Sequence, residues 1–160
     1  MCIRDRSNFD GVIKEFSVNG YKLVLPELPV YTQTLINTNV KSFSKYLKEF
    51  INYRNYKDFV LLGNSLGGHI GLYYIKLNPE LVAGLIITGS SGLYESAMGG
   101  GYTKRSDYEV IKAKAQEVFY NPEVATKEIV DDVYETVNDK SKLIKISVSY
   151  THLRAHETLL

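Results

Sequence analysis

The sequence predicts an α/β fold, a partial doubly wound parallel sheet followed by the start of a helical lid, and three observations carry that expectation. An apolar run, Phe59-Val60-Leu61-Leu62, ends abruptly in Gly63-Asn64-Ser65-Leu66-Gly67-Gly68. Short strand-like runs alternate with segments of helical period over residues 7–93. Beyond the glycine-rich stretches Gly89-Ser90-Ser91-Gly92 and Gly99-Gly100-Gly101 the pattern turns purely helical.

The elements follow in order. Ser7 or Asn8 can cap a helix carrying Val12, Ile13 and Phe16, which Asn19-Gly20 ends. Tyr21 to Leu25 reads as a short strand closed by Pro26-Glu27-Leu28-Pro29. Thr38 or Asn39 opens a helix whose Val40, Phe43, Leu47, Phe50 and Ile51 fall on one face. Phe59 to Leu62 is a strand, Leu66 through Leu77 a helix with Ile70, Leu72, Tyr73 and Ile75 apolar, and Asn78-Pro79 stops it. Val82 to Thr88 is the next strand. Strands joined through helices pair in parallel by crossovers. Further on, Ser106-x-x-Glu109 is a capping box before Val110, Ile111, Val118 and Phe119. Asn121-Pro122 starts a last helix with Ile129, Val130, Val133 and Val137. Helices beyond glycine hinges suit a lid over a site.

The Gly-x-Ser-x-Gly run reads as a nucleophile elbow. A serine hydroxyl is a weak nucleophile, so a fold that uses one must lift the Oγ clear of the backbone and bring it to a base. A sharp strand-to-helix turn does so, and it forces the serine into strained angles while strand and helix approach closely, which accounts for Gly63 and Gly67 around Ser65. Ser65 is the candidate nucleophile, and the backbone N–H of Leu66, at the positive end of the new helix, the candidate oxyanion donor. A glycine turn around a serine without chemistry is the alternative; the apolar strand before and apolar helix after favour the elbow.

Both ends of the chain look foreign to it. Met1-Cys2-Ile3-Arg4-Asp5 can be written ATG TGT ATA AGA GAC, whose reverse complement translates as Val-Ser-Tyr-Thr-His, the residues Val148-Ser149-Tyr150-Thr151-His152. One DNA tag in opposite orientations explains both, and it resembles the mosaic end used in transposase-based library preparation; Leu153 to Thr158 resembles its continuation. The expected division is therefore adaptor-derived residues 1–6, a core segment 7–93 with the elbow, a lid segment 94–147, and adaptor-derived residues 148–160. Of the three histidines, His152 and His156 then belong to the tag and His69 alone to the protein. Cys2 is tag-encoded too, leaving neither a disulfide framework nor a thiol nucleophile.

The stretch Gly63 to His69, with Gly89-Ser90-Ser91-Gly92-Leu93-Tyr94 after the next strand, is similar to the α/β-hydrolase fold family, in particular to bacterial esterases and meta-cleavage-product hydrolases. The resemblance implies a serine hydrolase of small esters or carbon–carbon-cleaved diketo acids. It implies a His-Gly loop after an earlier strand, an acid after a later strand and a histidine near the C-terminus, none of which this chain contains; the segment is expected to begin after the first and stop before the others. On that reading the chain itself is inactive, and a sheet ending after its central strands folds poorly. His69, four residues after Ser65 on the same helix, points along the core and away from Oγ. Glu95 stands where some relatives keep an acid, although a solvated lid glutamate is the simpler reading. Asn64 and Tyr94 are candidate substrate-binding residues, and Tyr31 and Tyr102 further pocket linings among thirteen tyrosines. Haloperoxidase-like chemistry, or a non-catalytic relative that keeps the elbow and binds a ligand through the lid, are the other readings; epoxide and halide chemistry needs a carboxylate where Ser65 stands.

Composition sets the outer limits. The 160 residues are 44% hydrophobic with a formal net charge of +1, balanced once the tag residues are set aside, so nothing suggests a polyanion such as nucleic acid as partner. No stretch is apolar enough to span a membrane. A small-molecule substrate, no cofactor, no metal and a cytoplasmic location are expected, with a signal peptide ahead of Ser7 left open.

Overall fold

In a computed structural model, residues 9–91, 93, 104–145 and 148 are described. Two strands, β1 (Phe59–Asn64) and β2 (Val82–Thr88), pair in parallel, with Leu61 opposite Leu85, Leu62 opposite Ile86 and Asn64 opposite Thr88. The register shifts once, between Phe59 and Val60. Two parallel strands need a crossover, and α3 (Leu66–Leu77) supplies it.

Ahead of the sheet lie α1 (Asp10–Val18) and α2 (Val40–Arg54). Asn39 caps α2, its Oδ1 accepting the Ser42 N–H at 2.9 Å, and Asn55 ends it in the left-handed region at φ 51°. The apolar face expected of α2 is the one that packs: Val40, Phe43, Leu47 and Ile51 are buried with Val30, Leu66, Ile70 and Tyr74 of the neighbouring segments, and Phe50 packs partly buried beside them. Burial of one such large side chain contributes roughly 1.5–3 kcal/mol. On α3, Leu66, Ile70 and Tyr74, spaced by four, are buried along with Gly68, His69 and Gly71; Leu72, Tyr73 and Ile75 are only half-buried. Burial holds the Tyr74 hydroxyl above its ordinary pKa, with Glu80 adding to it.

Beyond β2, α4 (Tyr108–Gln116) and α5 (Lys127–Asn138) form a helical pair. Ile111 meets Val133 and Val137 between them, and Ala115 meets Ala125 and Val130. Tyr108 and Lys127 both bond Asp131, at 2.6 Å each, and Tyr134 donates to the Ser106 carbonyl. Helical residues 140–145 follow, and the Lys145 ammonium reaches back to the Tyr31 carbonyl.

Four expectations need correction. Residues 21–29 form no ladder, because among the described residues β1 and β2 pair only with each other and offer this segment no strand to bond. Ser106 does not cap α4: Asp107 does, its carboxylate accepting the Glu109 and Val110 N–H groups, and Val118 and Phe119 lie past the helix end. Asn121-Pro122 starts only a 3-10 turn, Pro122–Val124; the chain turns at buried Ala125, and α5 begins after Thr126. Phe9, without a side-chain cap bond, precedes α1; Ser7 and Asn8 lie outside the described residues, as do residues 1–6 and, apart from Val148, the segment 148–160. No described helix is long and apolar enough to cross a membrane.

Candidate active site

Ser65 occupies the junction of β1 and α3 with φ 52° and ψ −118°, a backbone conformation that costs a non-glycine residue about 1–3 kcal/mol. The surrounding bonds hold it there. Its N–H donates to the Thr88 carbonyl at 3.0 Å, and its carbonyl accepts from Gly68, His69 and Ser91 N–H groups at 3.1, 3.3 and 3.2 Å. Its Oγ has no hydrogen-bond partner among the described residues, so the side chain is spent on nothing structural. Strand and helix meet closely enough that a Cβ at Gly63 would lie 2.5 Å from the Gly67 carbonyl carbon.

The second expected small residue is a different one. A Cβ added at Gly67 meets nothing within 4 Å, whereas one at Gly68 would come 2.7 Å from Ser90 Oγ and 3.2 Å from the Gly63 carbonyl. Gly67 contributes the backbone that Gly63 must clear; Gly68 is the second position with no room. The Gly-x-Ser-x-Gly spacing pointed to the wrong glycine because it says nothing of what the segment after β2 brings alongside.

The other candidates separate. Leu66 opens α3, where a first-turn N–H has no intrahelical acceptor, and its side chain is buried in the core. Asn64 ends β1 beside Ser65, and its Oδ1 accepts the Thr88 hydroxyl at 3.1 Å. His69 is buried on α3, 6% exposed. Tyr31 packs against the α2–α3 core. Tyr94, Glu95, Tyr102, His152 and His156 lie outside the described residues. Thr88 joins the turn at Ser65 without having been singled out, and Ser90 and Ser91, quoted above only within the glycine-rich stretch and the resemblance, join it too; all three stand at the carboxyl end of the neighbouring strand, where parallel sheets gather their sites.

A parallel β1–α3–β2 unit with a strained serine at the strand-to-helix turn is the architecture of an α/β hydrolase. A sequence profile described as alpha/beta hydrolase fold matches residues 5–126, and the chain belongs to that family. Among solved structures it is similar to MGS-MChE2, an alpha/beta hydrolase enzyme from the metagenome of sediments of the lagoon of Mar Chica, Morocco. The match has 42% identity and a TM-score of 0.69, over 95% of this chain and 54% of that one. Among curated proteins, the dihydrolipoyllysine-residue acetyltransferase component of the acetoin cleaving system of Pseudomonas putida is 29% identical over 76 residues, 46% of this chain and 20% of that protein. The chain thus spans about half the length of the solved relative and a fifth of the curated one.

Proposed function

We propose that the whole protein is a serine hydrolase that cleaves small carboxylic esters or related activated carbonyl compounds, with Ser65 as nucleophile. The observation that carries this reading is the Ser65 backbone: a strained φ of 52° held by four backbone bonds around an Oγ that bonds nothing among the described residues. Strain maintained at that expense of stability, with the hydroxyl left free, fits a group kept for chemistry.

In the proposed reaction Ser65 Oγ adds to the carbonyl carbon as its proton passes to a histidine base, and the oxygen that gains charge accepts a hydrogen bond from the Leu66 N–H. The adduct collapses, the alcohol leaves with that proton, and water then releases the acid from the acyl-enzyme. Asn64 and Tyr94 are the proposed substrate contacts. His69 is not the base, since it lies buried on the same helix as Leu66. The base and its acid partner are supplied from outside the described residues, and with residues 1–6 and 148–160 read as adaptor-derived, His152 and His156 are not that base. The 160-residue chain by itself is accordingly inactive.

The test is hydrolysis of p-nitrophenyl acetate and butyrate by the whole protein, with its gene recovered by sequencing the source DNA without tagging. Ser65→Ala should lower turnover at least roughly 1000-fold with the melting temperature nearly unchanged. Turnover that survives the substitution would sink the reading, and a source sequence that runs unbroken through His152 and His156 would return those histidines as candidates.

A further inference from the structure

We infer that the segment after β2, Gly89–Ser91, positions the oxyanion donor of the elbow through the bond from the Ser91 N–H to the Ser65 carbonyl; the inference rests on the reading of Ser65 as nucleophile. The Ser65 carbonyl and the Leu66 N–H belong to one planar peptide unit, so whatever fixes the carbonyl fixes the direction of that N–H. Among the described residues, three N–H groups hold the carbonyl. Those of Gly68 and His69 lie in the first turn of α3 and move with the helix. Among the described residues, only the Ser91 N–H, at 3.2 Å, ties the same carbonyl to the strand side.

The segment is shaped for that contact. Gly89, at φ 50°, turns the chain directly after β2. Ser90 fills the space that a side chain at Gly68 would need, and its hydroxyl bonds the Ser91 carbonyl at 3.0 Å. Ser91 is only 8% exposed, so water competes poorly for its bond to Ser65. A bond to the carbonyl also polarises the peptide and strengthens its N–H as a donor, which matters most when negative charge develops opposite it. Ser91 is therefore a positioning residue acting through Leu66, and its effect belongs to the transition state.

The test uses the whole protein with serine 91 replaced by its α-hydroxy acid, which exchanges the amide N–H for an ester oxygen. It should lower kcat roughly 10- to 100-fold and weaken phenylboronic acid, which forms a tetrahedral adduct on the nucleophile, by a similar factor, while KM changes by less than about twofold. A wild-type kcat in the ester variant, with Ser65→Ala inactive, overturns the positioning role alone; turnover surviving in Ser65→Ala overturns the nucleophile and the positioning role with it. Should the ester variant not fold, Gly68→Ala decides. Its Cβ displaces Ser90 and with it the Ser91 bond, so kcat should fall with KM changed by less than about twofold; a wild-type kcat in a folded Gly68→Ala overturns the inference.

Discussion

A Cβ at Gly63 would lie 2.5 Å from both the carbonyl carbon and the carbonyl oxygen of Gly67. No side-chain rotation relieves a clash with backbone, so the strand and helix must part. Gly63→Ala should therefore destabilise the fold by several kcal/mol, on the order of 3 or more. Gly67→Ala should be neutral or stabilising by up to about 0.5–1 kcal/mol, since its Cβ meets nothing and a helical glycine gains order on becoming alanine. Urea denaturation of the two variants checks the contrast; equal destabilisation would refute it.

Replacing Ser65 with glycine removes the Cβ that makes φ 52° costly. Against the extra chain entropy of glycine, the net expectation is a gain of about 1 kcal/mol, or roughly 2–4 °C in Tm for a domain of this size. Ser65→Ala keeps the Cβ and should show no such gain. A lower Tm for the glycine variant than for the alanine variant would mean that the elbow is not strained.

The start of α4 offers a test of capping. Asp107 accepts two first-turn N–H groups, so Asp107→Ala should cost about 1 kcal/mol. Ser106 serves through its backbone carbonyl, which Tyr134 bonds, and Ser106→Ala should stay within about 0.5 kcal/mol of the parent. Thermal unfolding by circular dichroism separates the two.

Asp131 joins α4 to α5. The Lys127 ammonium bonded to it, then the Tyr108 hydroxyl, hold its carboxyl below the ordinary carboxylate pKa. A depressed folded-state pKa means stability that is present above the unfolded pKa and is lost as pH falls through the folded one. The helical pair should accordingly loosen below about pH 4, and Asp131→Asn should flatten that part of the stability profile. An acid limb unchanged in the variant would assign it to other carboxylates.

How much was legible beforehand differs by element. The α2 face, β2 and the extent of α3 were readable because each rests on local signals: a four-residue apolar spacing, a β-branched run, a proline stop. Tyr21 to Leu25 carried the pattern of a strand and is not one, because a strand exists only with a neighbour to bond, and pairing is not written in the segment itself. Val60 and Ile86, 55% and 47% exposed, show the same limit. Their runs are apolar like any buried strand, and which face is covered depends on what packs there.

The sequence by itself determined the strand–turn–helix around Ser65 and with it the family, since a run of ten residues encodes that turn through its glycines and its change of period. Only the tertiary structure decided that Gly68 and not Gly67 lacks room, beside Ser90, and that Thr88 and Ser91 grip the Ser65 backbone. Those relations join residues more than twenty positions apart across a parallel crossover, and their distances are set by how α3 packs on the sheet rather than by any local preference of the chain.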